Sequence, residues 1–311
     1  MRYACIGQRV YFENHFIEGH GTSPHVRGFD YDHESSRPFT ELLAFVPDVT
    51  LIFRPELYSR AMLRMLPGVK IGFSSEPLPT GAGHNRTTSS ETEVRELVYR
   101  GLAAEDYDLF FHYDAASADW FTERGLRVDG FRPLPLDCDV FNPVAHADKD
   151  IDFLFVGKPT PHRIEVLDRF RWLPFRFTWI AHGVWGPELA DLVRRSRCVI
   201  NLHADAREQF EPRVLIAAAC GVAVISEPLG SDEFPCHELV YQGDISHLST
   251  EELALVLRHS KTAKELVADQ WNAIRPQLST SAFIRQCLTR RATRDAARAL
   301  SVDLDFPPSH P

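Results

Sequence analysis

Short apolar runs alternate with amphipathic stretches along the whole chain. Runs rich in β-branched and aromatic residues at 3–6, 49–53, 69–73, 109–113 and 128–132 read as strands. Between them, apolar positions recur at helical spacing over 38–46, 56–66, 90–104 and 115–124. Ser90, with Glu93 three residues on, predicts a capping box for the third of these helices. Gly68, just past Leu66, predicts a helix stop. Residues 13–36 are rich in His, Gly and Asn and read as a long loop region around one short strand at 26–31. Strand and helix in alternation imply a parallel sheet wrapped by helices.

The rhythm breaks over 133–150, a stretch with three Pro and a polar end, and then restarts. Strands are expected at 151–156, 176–181, 198–203, 222–226 and 239–241. Helices are expected at 162–172, 187–196, 212–220, 250–259, 262–274 and 280–299. Gly157 and Gly221 fall at element ends, where tight turns need conformational freedom. The pattern therefore predicts an α/β protein with two doubly wound, Rossmann-like domains facing across a cleft. The first domain spans 1–135, a linker 136–150 and the second domain 151–280. A C-terminal helix at 281–301 and a tail at 302–311 follow. Ligands of such sheets bind beyond the carboxyl ends of the strands.

Composition narrows the class without naming a chemistry. The chain has 311 residues, 44% hydrophobic and 25% charged, which is ordinary for a folded soluble protein. A net charge of −9 argues against a protein whose business is coating nucleic acid or an anionic membrane. The six Cys form no C-x-x-C pair and sit mostly in apolar runs, as reduced thiols of a cytoplasmic protein do. No signal-peptide core precedes the first strand, and no apolar run is long enough to span a membrane. Arg285, Arg290, Arg291, Arg294 and Arg298 form a basic run on the last helix. That run reads as a solvated face, with peripheral contact to an anionic membrane as the sharper alternative.

The richest segment for chemistry is 198–229. A buried strand ends in Asn201-Leu202-His203, and a polar loop carrying Glu208 and Glu211 follows. Pro212 and Arg213 then open a small apolar helix. A second buried strand ends in Ser226-Glu227. A helix N-terminus attracts phosphate, Arg213 adds a bidentate grip, and the acids accept bonds from hydroxyls. Phosphate with polyol describes a nucleotide sugar.

This segment resembles the donor-side signature of GT-B glycosyltransferases, particularly the group 1 and CgeB-like families. Phe155-Val156-Gly157-Lys158, followed by Arg163, resembles the entry of their donor domain. Asp137 to Pro143 resembles their interdomain linker. The similarity runs over about 109–240. It implies a metal-independent hexosyltransferase-like enzyme, retaining rather than inverting. A nucleotide-diphosphate sugar would serve as co-substrate and the acceptor is unspecified; no separate cofactor is implied. It also implies that the last helix crosses back over the first domain. Lys158, Arg163 and Arg213 would hold the diphosphate. Gly157, His182, His203 and Glu211 would line the sugar and nucleoside pocket. Glu208 and His20, the latter in the loop Glu18-Gly19-His20-Gly21, are the catalytic candidates. Glu76 and His112, at strand ends in the first half, are the acceptor-side candidates.

One departure stands out. The group 1 pattern places a second Glu, commonly a ribose ligand, where Ile216 stands here. Two other classes therefore share these residues: a non-transferase enzyme such as a nucleotide-sugar epimerase, and a catalytically degenerate binding protein. Competing signatures are weak. Three Asp-x-Asp pairs (30/32, 137/139 and 303/305) fall in loop, linker and tail. No H-e-x-x-H, dinucleotide fingerprint, phosphate-binding P-loop or nucleophile elbow is present.

Overall fold

The computed structural model describes residues 1–15, 26–81, 88–144, 149–204, 211–229 and 236–302. The first half builds a six-stranded parallel sheet from β1 (Tyr3–Gly7), β2 (Val26–Asp30), β3 (Val49–Phe53), β4 (Val69–Ser74), β5 (Leu109–His112) and β6 (Gly130–Phe131), in the order β2-β1-β3-β4-β5-β6. Its helices are α1 (Arg9–Phe12), α2 (Arg37–Phe45), α3 (Arg60–Met65), α4 (Ser90–Tyr99) and α5 (Ala118–Glu123). The second half builds a five-stranded parallel sheet from β7 (Ile151–Val156), β8 (Phe177–Ile180), β9 (Ser196–Asn201), β10 (Ala223–Ser226) and β11 (Val240–Gln242), in the order β11-β10-β9-β7-β8. Helices α6 (Pro161–Asp168), α7 (Gly186–Arg195) and α8 (Pro212–Ala219) connect these strands. Two long helices, α9 (Thr250–Leu278) and α10 (Thr280–Val302), close the chain.

The central strands explain the layering. Every residue of β3 is buried, as are five of the six in β4. A strand covered on both faces must be apolar almost continuously, which fits a parallel sheet between two helical layers. The order of each sheet reverses beside its first strand, between β1 and β3 and between β7 and β9. Those two reversals open the crevices in which doubly wound sheets bind ligands.

Several boundaries differ from the sequence expectation. The capping box of α4 is Ser89 with Thr92, one residue earlier than Ser90 with Glu93, because Thr92 Oγ1 reaches back to the Ser89 N–H at 2.8 Å. The 56–66 pattern splits into a 3₁₀ turn at Pro55–Leu57 and α3, with Ser59 capping the helix. The two helices expected at 250–259 and 262–274 are one, started by the box of Ser249 and Glu252; its single Pro, Pro276, sits in the last turn. Gly68 does turn the chain at φ +71°, and a Cβ there would lie 2.4 Å from the Asp48 carbonyl oxygen. The tail beyond 302 lies outside the described residues.

Several contacts tie the two halves together. Leu136 in the linker donates to Leu278 O at 2.7 Å, and its own carbonyl accepts from Thr280 N–H at 2.9 Å. The linker thus pairs with the corner between α9 and α10. The side chain of Asn14, after α1, accepts the Gly186 N–H at the start of α7 at 2.9 Å. α10 packs across the first sheet, with Phe283 against Phe73 and Phe111 at 5.7 and 5.0 Å between ring centroids.

This packing engages part of the basic run. Arg291 pairs with Asp108 at 3.3 Å. Arg294 donates to Asp108 O at 2.6 Å and lies 3.7 Å from the Asp129 carboxylate. These two arginines therefore meet acids at the amino edge of the first sheet, while Arg285 and Arg290 are exposed. The Asp pairs at 30/32 and 137/139 also have local tasks: Asp30, Asp32 and Asp137 accept the N–H groups of Arg9, Glu34 and Asp139. All six cysteines are free and buried, and burial pushes the thiols of Cys138, Cys198, Cys220, Cys236 and Cys287 up to about 12. No helix among the described residues is long and apolar enough to cross a membrane.

Candidate functional site

The second sheet brings its chemistry together where its order reverses. β7 ends at Val156 and turns through Gly157 and Lys158 into α6; β9 ends at Asn201 beside it and leads through Leu202 and His203. β10, on the other side of β9, ends at Ser226 and leads into Glu227. α8 starts at Pro212 in front of these ends. Residues 45–70 positions apart in sequence thus share one crevice because three neighbouring parallel strands all point into it.

Two arginines organise the crevice. Arg163, on the first turn of α6, is only 4% exposed. Its guanidinium donates to Leu202 O and His203 O across the gap, at 3.0 Å each, and to Lys158 O at 3.2 Å on its own side. Arg213, at the start of α8, donates to Asn201 Oδ1 at 3.1 Å and Leu202 O at 2.7 Å. Both guanidiniums lie over the ring of buried Phe155, at 5.4 and 5.0 Å from its centroid. Glu211 takes both, accepting from Arg163 at 3.3 Å and from Arg213 at 3.4 Å. Gly157 is required by this crowding: a Cβ there would stand 3.1 Å from the Phe155 ring and 3.3 Å from the Arg213 guanidinium.

The remaining donor-side candidates divide. Lys158 is exposed at the rim, one position from Gly157. His203 is 2% exposed; its Nε2 meets Pro228 O at 2.7 Å, while its buried Nδ1 has no hydrogen-bond partner among the described residues. His182 stands exposed beyond the end of β8, at the edge of the sheet rather than in the crowded centre. Glu208 lies outside the described residues, as does His20. Ile216 is 5% exposed on α8 and belongs to the apolar core.

Sequence reasoning missed a clasp beside these residues. Glu227 accepts the His203 N–H at 2.8 Å with one oxygen and meets His162 Nε2 at 2.6 Å with the other. The signal was present, since both residues follow predicted strands. Only the order β10-β9-β7 shows that the two ends are close enough to join.

On the first sheet, the structure moves one candidate out of the cleft. His112 is fully buried, bonded through Nδ1 to Ser74 Oγ at 2.6 Å and packed against Tyr113, Phe121 and Phe131. Burial lowers it to about 3, so it is a neutral core residue rather than an acceptor ligand. Glu76 is 4% exposed and bonds Arg95, with Arg54 3.6 Å away. Arg54 in turn binds Glu56 at 2.6 Å and adopts a left-handed φ of 55°. This buried Arg–Glu group at the ends of β3 and β4 was not foreseen; Arg54 sits in a turn and Arg95 within α4, and neither carries a signal in the sequence.

Two parallel sheets facing one another, a linker paired with the helical corner and a basic crevice at the second sheet's reversal define the GT-B fold. Over residues 138–289 the chain matches the family described as glycosyl transferase-like, a span that includes the whole second sheet and α9. The structure is similar to an alpha-glucosyltransferase solved with UDP, at 10% identity and a TM-score of 0.51, over 94% of this chain and 100% of that one. It is also similar to an alpha-glucosyltransferase in complex with UDP-glucose and DNA containing an abasic site, at 9% identity and a TM-score of 0.50, over 93% and 99% of the chains. Against TarM the identity is 10% and the TM-score 0.49, over 81% of this chain; the chain spans 57% of that protein's length. No curated protein sequence matches. The fold is that of GT-B proteins, and the family match lies in the second half of the chain.

Proposed function

We propose that the protein transfers a sugar from a nucleotide-diphosphate donor to a hydroxyl-bearing acceptor. The observation that carries this reading is the placement of Lys158, Arg213, Glu211 and His203 around the reversal point of the second sheet, at the N-terminus of α8. Transfer breaks the bond between the sugar C1 and the diphosphate oxygen and forms one between C1 and the acceptor oxygen. The electron pair leaves on the diphosphate, and the acceptor gives up its proton. Lys158, Arg213 and the positive end of the α8 dipole stabilise the departing charge. Arg163, whose donors are occupied by strand-end carbonyls, acts as a positioning residue in this scheme.

Cationic side chains supply the neutralisation, so the proposed reaction needs no metal; retention at C1 is carried over from the group 1 resemblance. Glu208 and His20 are assigned as catalytic residues on the family resemblance, and the linker segment favours the CgeB-like branch. Glu76 contributes to the acceptor side through its arginine partners. The cytoplasm is the proposed compartment.

The test is donor turnover. Binding stabilises by mass action, so a thermal-shift screen of UDP, TDP, GDP and ADP identifies the base. The matching donor sugar is then incubated with and without acceptor in EDTA. Hydrolysis or transfer that survives EDTA supports the reading; loss rescued by Mn²⁺ rejects metal independence. Conversion of the sugar without acceptor and without release of nucleotide would identify an epimerase. Nucleotide binding with no turnover would identify a binding protein.

A further inference from the structure

We propose a second small-molecule site at the hinge, on the far side of α8 from the donor crevice, that takes an anion carrying an apolar body. A cavity of about 410 Å³ opens where β6, the residues after it, the corner between α9 and α10, and α8 meet. That volume lies within the range of roughly 300–1,000 Å³ usual for small-ligand sites. Phe111 and Phe131 of the first sheet and Leu215 of α8 give it apolar walls.

Arg132 and Arg290 supply the charge. The guanidinium of Arg132 lies 4.5 Å over the Phe283 ring. Nη2 donates to Gln277 O at 3.0 Å and Nη1 to Gln286 Oε1 at 3.4 Å, while the buried Nε–H has no acceptor among the described residues. Arg290 faces the same cavity, and its one hydrogen bond among the described residues is 3.5 Å long, to Asp129 O. Among the described residues neither arginine forms an ion pair with a carboxylate. Asp129, which also lines the cavity, is engaged by Arg127 at 3.1 Å, by Arg294 at 3.7 Å and by the Phe110 N–H at 2.7 Å. In a chain of net charge −9, with Arg291 and Arg294 on the same helix both paired, two such arginines on one cavity are an unmet positive charge. Burial lowers the affinity of Arg132 for its proton, and the charge of Arg290 acts in the same direction. An oxyanion meets both guanidiniums at once, and the aromatic walls accept the body that carries it.

The position gives the site a consequence. Arg213 and Leu215 are two positions apart on α8, or about 200° around a helix of 3.6 residues per turn. One face of α8 therefore serves the donor crevice and the opposite face lines the cavity. The cavity is walled by both halves of the molecule. A ligand that fills it favours the interdomain arrangement in which both walls are in reach.

The test is isothermal titration calorimetry with phenyl phosphate, inorganic phosphate and phenol, on the wild-type protein and on Arg132→Gln, Arg290→Gln and Arg213→Gln. Phenyl phosphate is expected to bind once per chain, at least tenfold tighter than either fragment. Its affinity should fall at least tenfold in Arg290→Gln and be unchanged in Arg213→Gln. Arg132→Gln should lose binding too. If that variant fails to fold, Arg290→Gln decides alone, because its side chain carries little of the structure. No binding of phenyl phosphate at millimolar concentration overturns the proposal, as does full affinity in Arg290→Gln. Binding lost in Arg213→Gln or displaced by UDP would place the anion in the donor crevice and overturn it as well.

Discussion

Arg163 resembles a phosphate ligand in the sequence and a structural clamp in the fold, and the two roles separate under substitution. Arg163→Met keeps most of the apolar stem and removes every donor. The carbonyls of Lys158 and His203 then lose the guanidinium, whereas Leu202 O keeps its bond from Arg213. Lys158 is exposed, so water can take over its carbonyl; at about 1–3 kcal/mol for the buried His203 acceptor left unsatisfied, the loss is about 1–3 kcal/mol. With an m-value near 3 kcal/mol/M, the urea midpoint falls by about 0.3–1 M at constant slope. Arg163→Lys is the sharper variant. Its ammonium keeps the charge but cannot span carbonyls on both β7 and β9 sides of the gap, so it should lose most of the same stability. Nucleotide-diphosphate affinity, measured by calorimetry, should fall with stability in both variants, because the Lys158 turn and the end of β9 are no longer held together. If Arg163→Lys keeps its midpoint within about 0.2 M yet binds UDP more than tenfold more weakly, Arg163 contacts the ligand directly and the clamp argument is wrong.

Arg213→Ala should weaken nucleoside diphosphate binding by about 1.5–3 kcal/mol, the scale of a hydrogen bond to a charged group, and leave nucleoside binding nearly intact; calorimetry showing equal losses for both ligands removes it from the phosphate role. Ile216→Glu places a carboxylate at a position 5% exposed within the apolar core, so a loss of several kcal/mol is expected in denaturation, with no gain in UDP affinity; tighter UDP binding at an unchanged melting temperature would mean that a ribose site survives there. His112 and His15 are held neutral by burial, at about 3 and about 4 against 6.5 in the unfolded chain. The unfolded state therefore binds more protons below pH 6.5, and stability is full above that pH and falls as pH drops toward 4. The slope is up to about 1.4 kcal/mol per pH unit for each histidine. Urea titrations at pH 7, 6 and 5 measure it, and a slope unchanged in His112→Asn would refute the assignment of His112.

Much of the architecture was legible before any coordinates. Strand β3 was read to the residue, because a strand covered on both faces must be a continuous apolar run and the polar turns beside it are local signals. The turn at Gly68 was legible for the same reason. The end of β9 at Asn201 and the Pro-started helix at Pro212 were legible as local signals too, and the proposed donor site is read from them. What the sequence did not contain was sheet order. Only the adjacency of β7, β9 and β10 joins His162 to Glu227, and only it turns Arg163 toward the carbonyls of Leu202 and His203 instead of toward solvent. His112 shows the same gap from the other side: a polar residue at a strand end reads alike whether its side chain meets a cleft or, as here, Ser74 and three aromatic rings. The basic run on α10 belongs with it, because helical spacing fixes which arginines share a face but not that Asp108 and Asp129 wait opposite. Local periodicity is written in neighbouring residues; the partners of a buried polar group are chosen by chain crossings that join residues 38 to 186 positions apart, and that choice belongs to the tertiary structure.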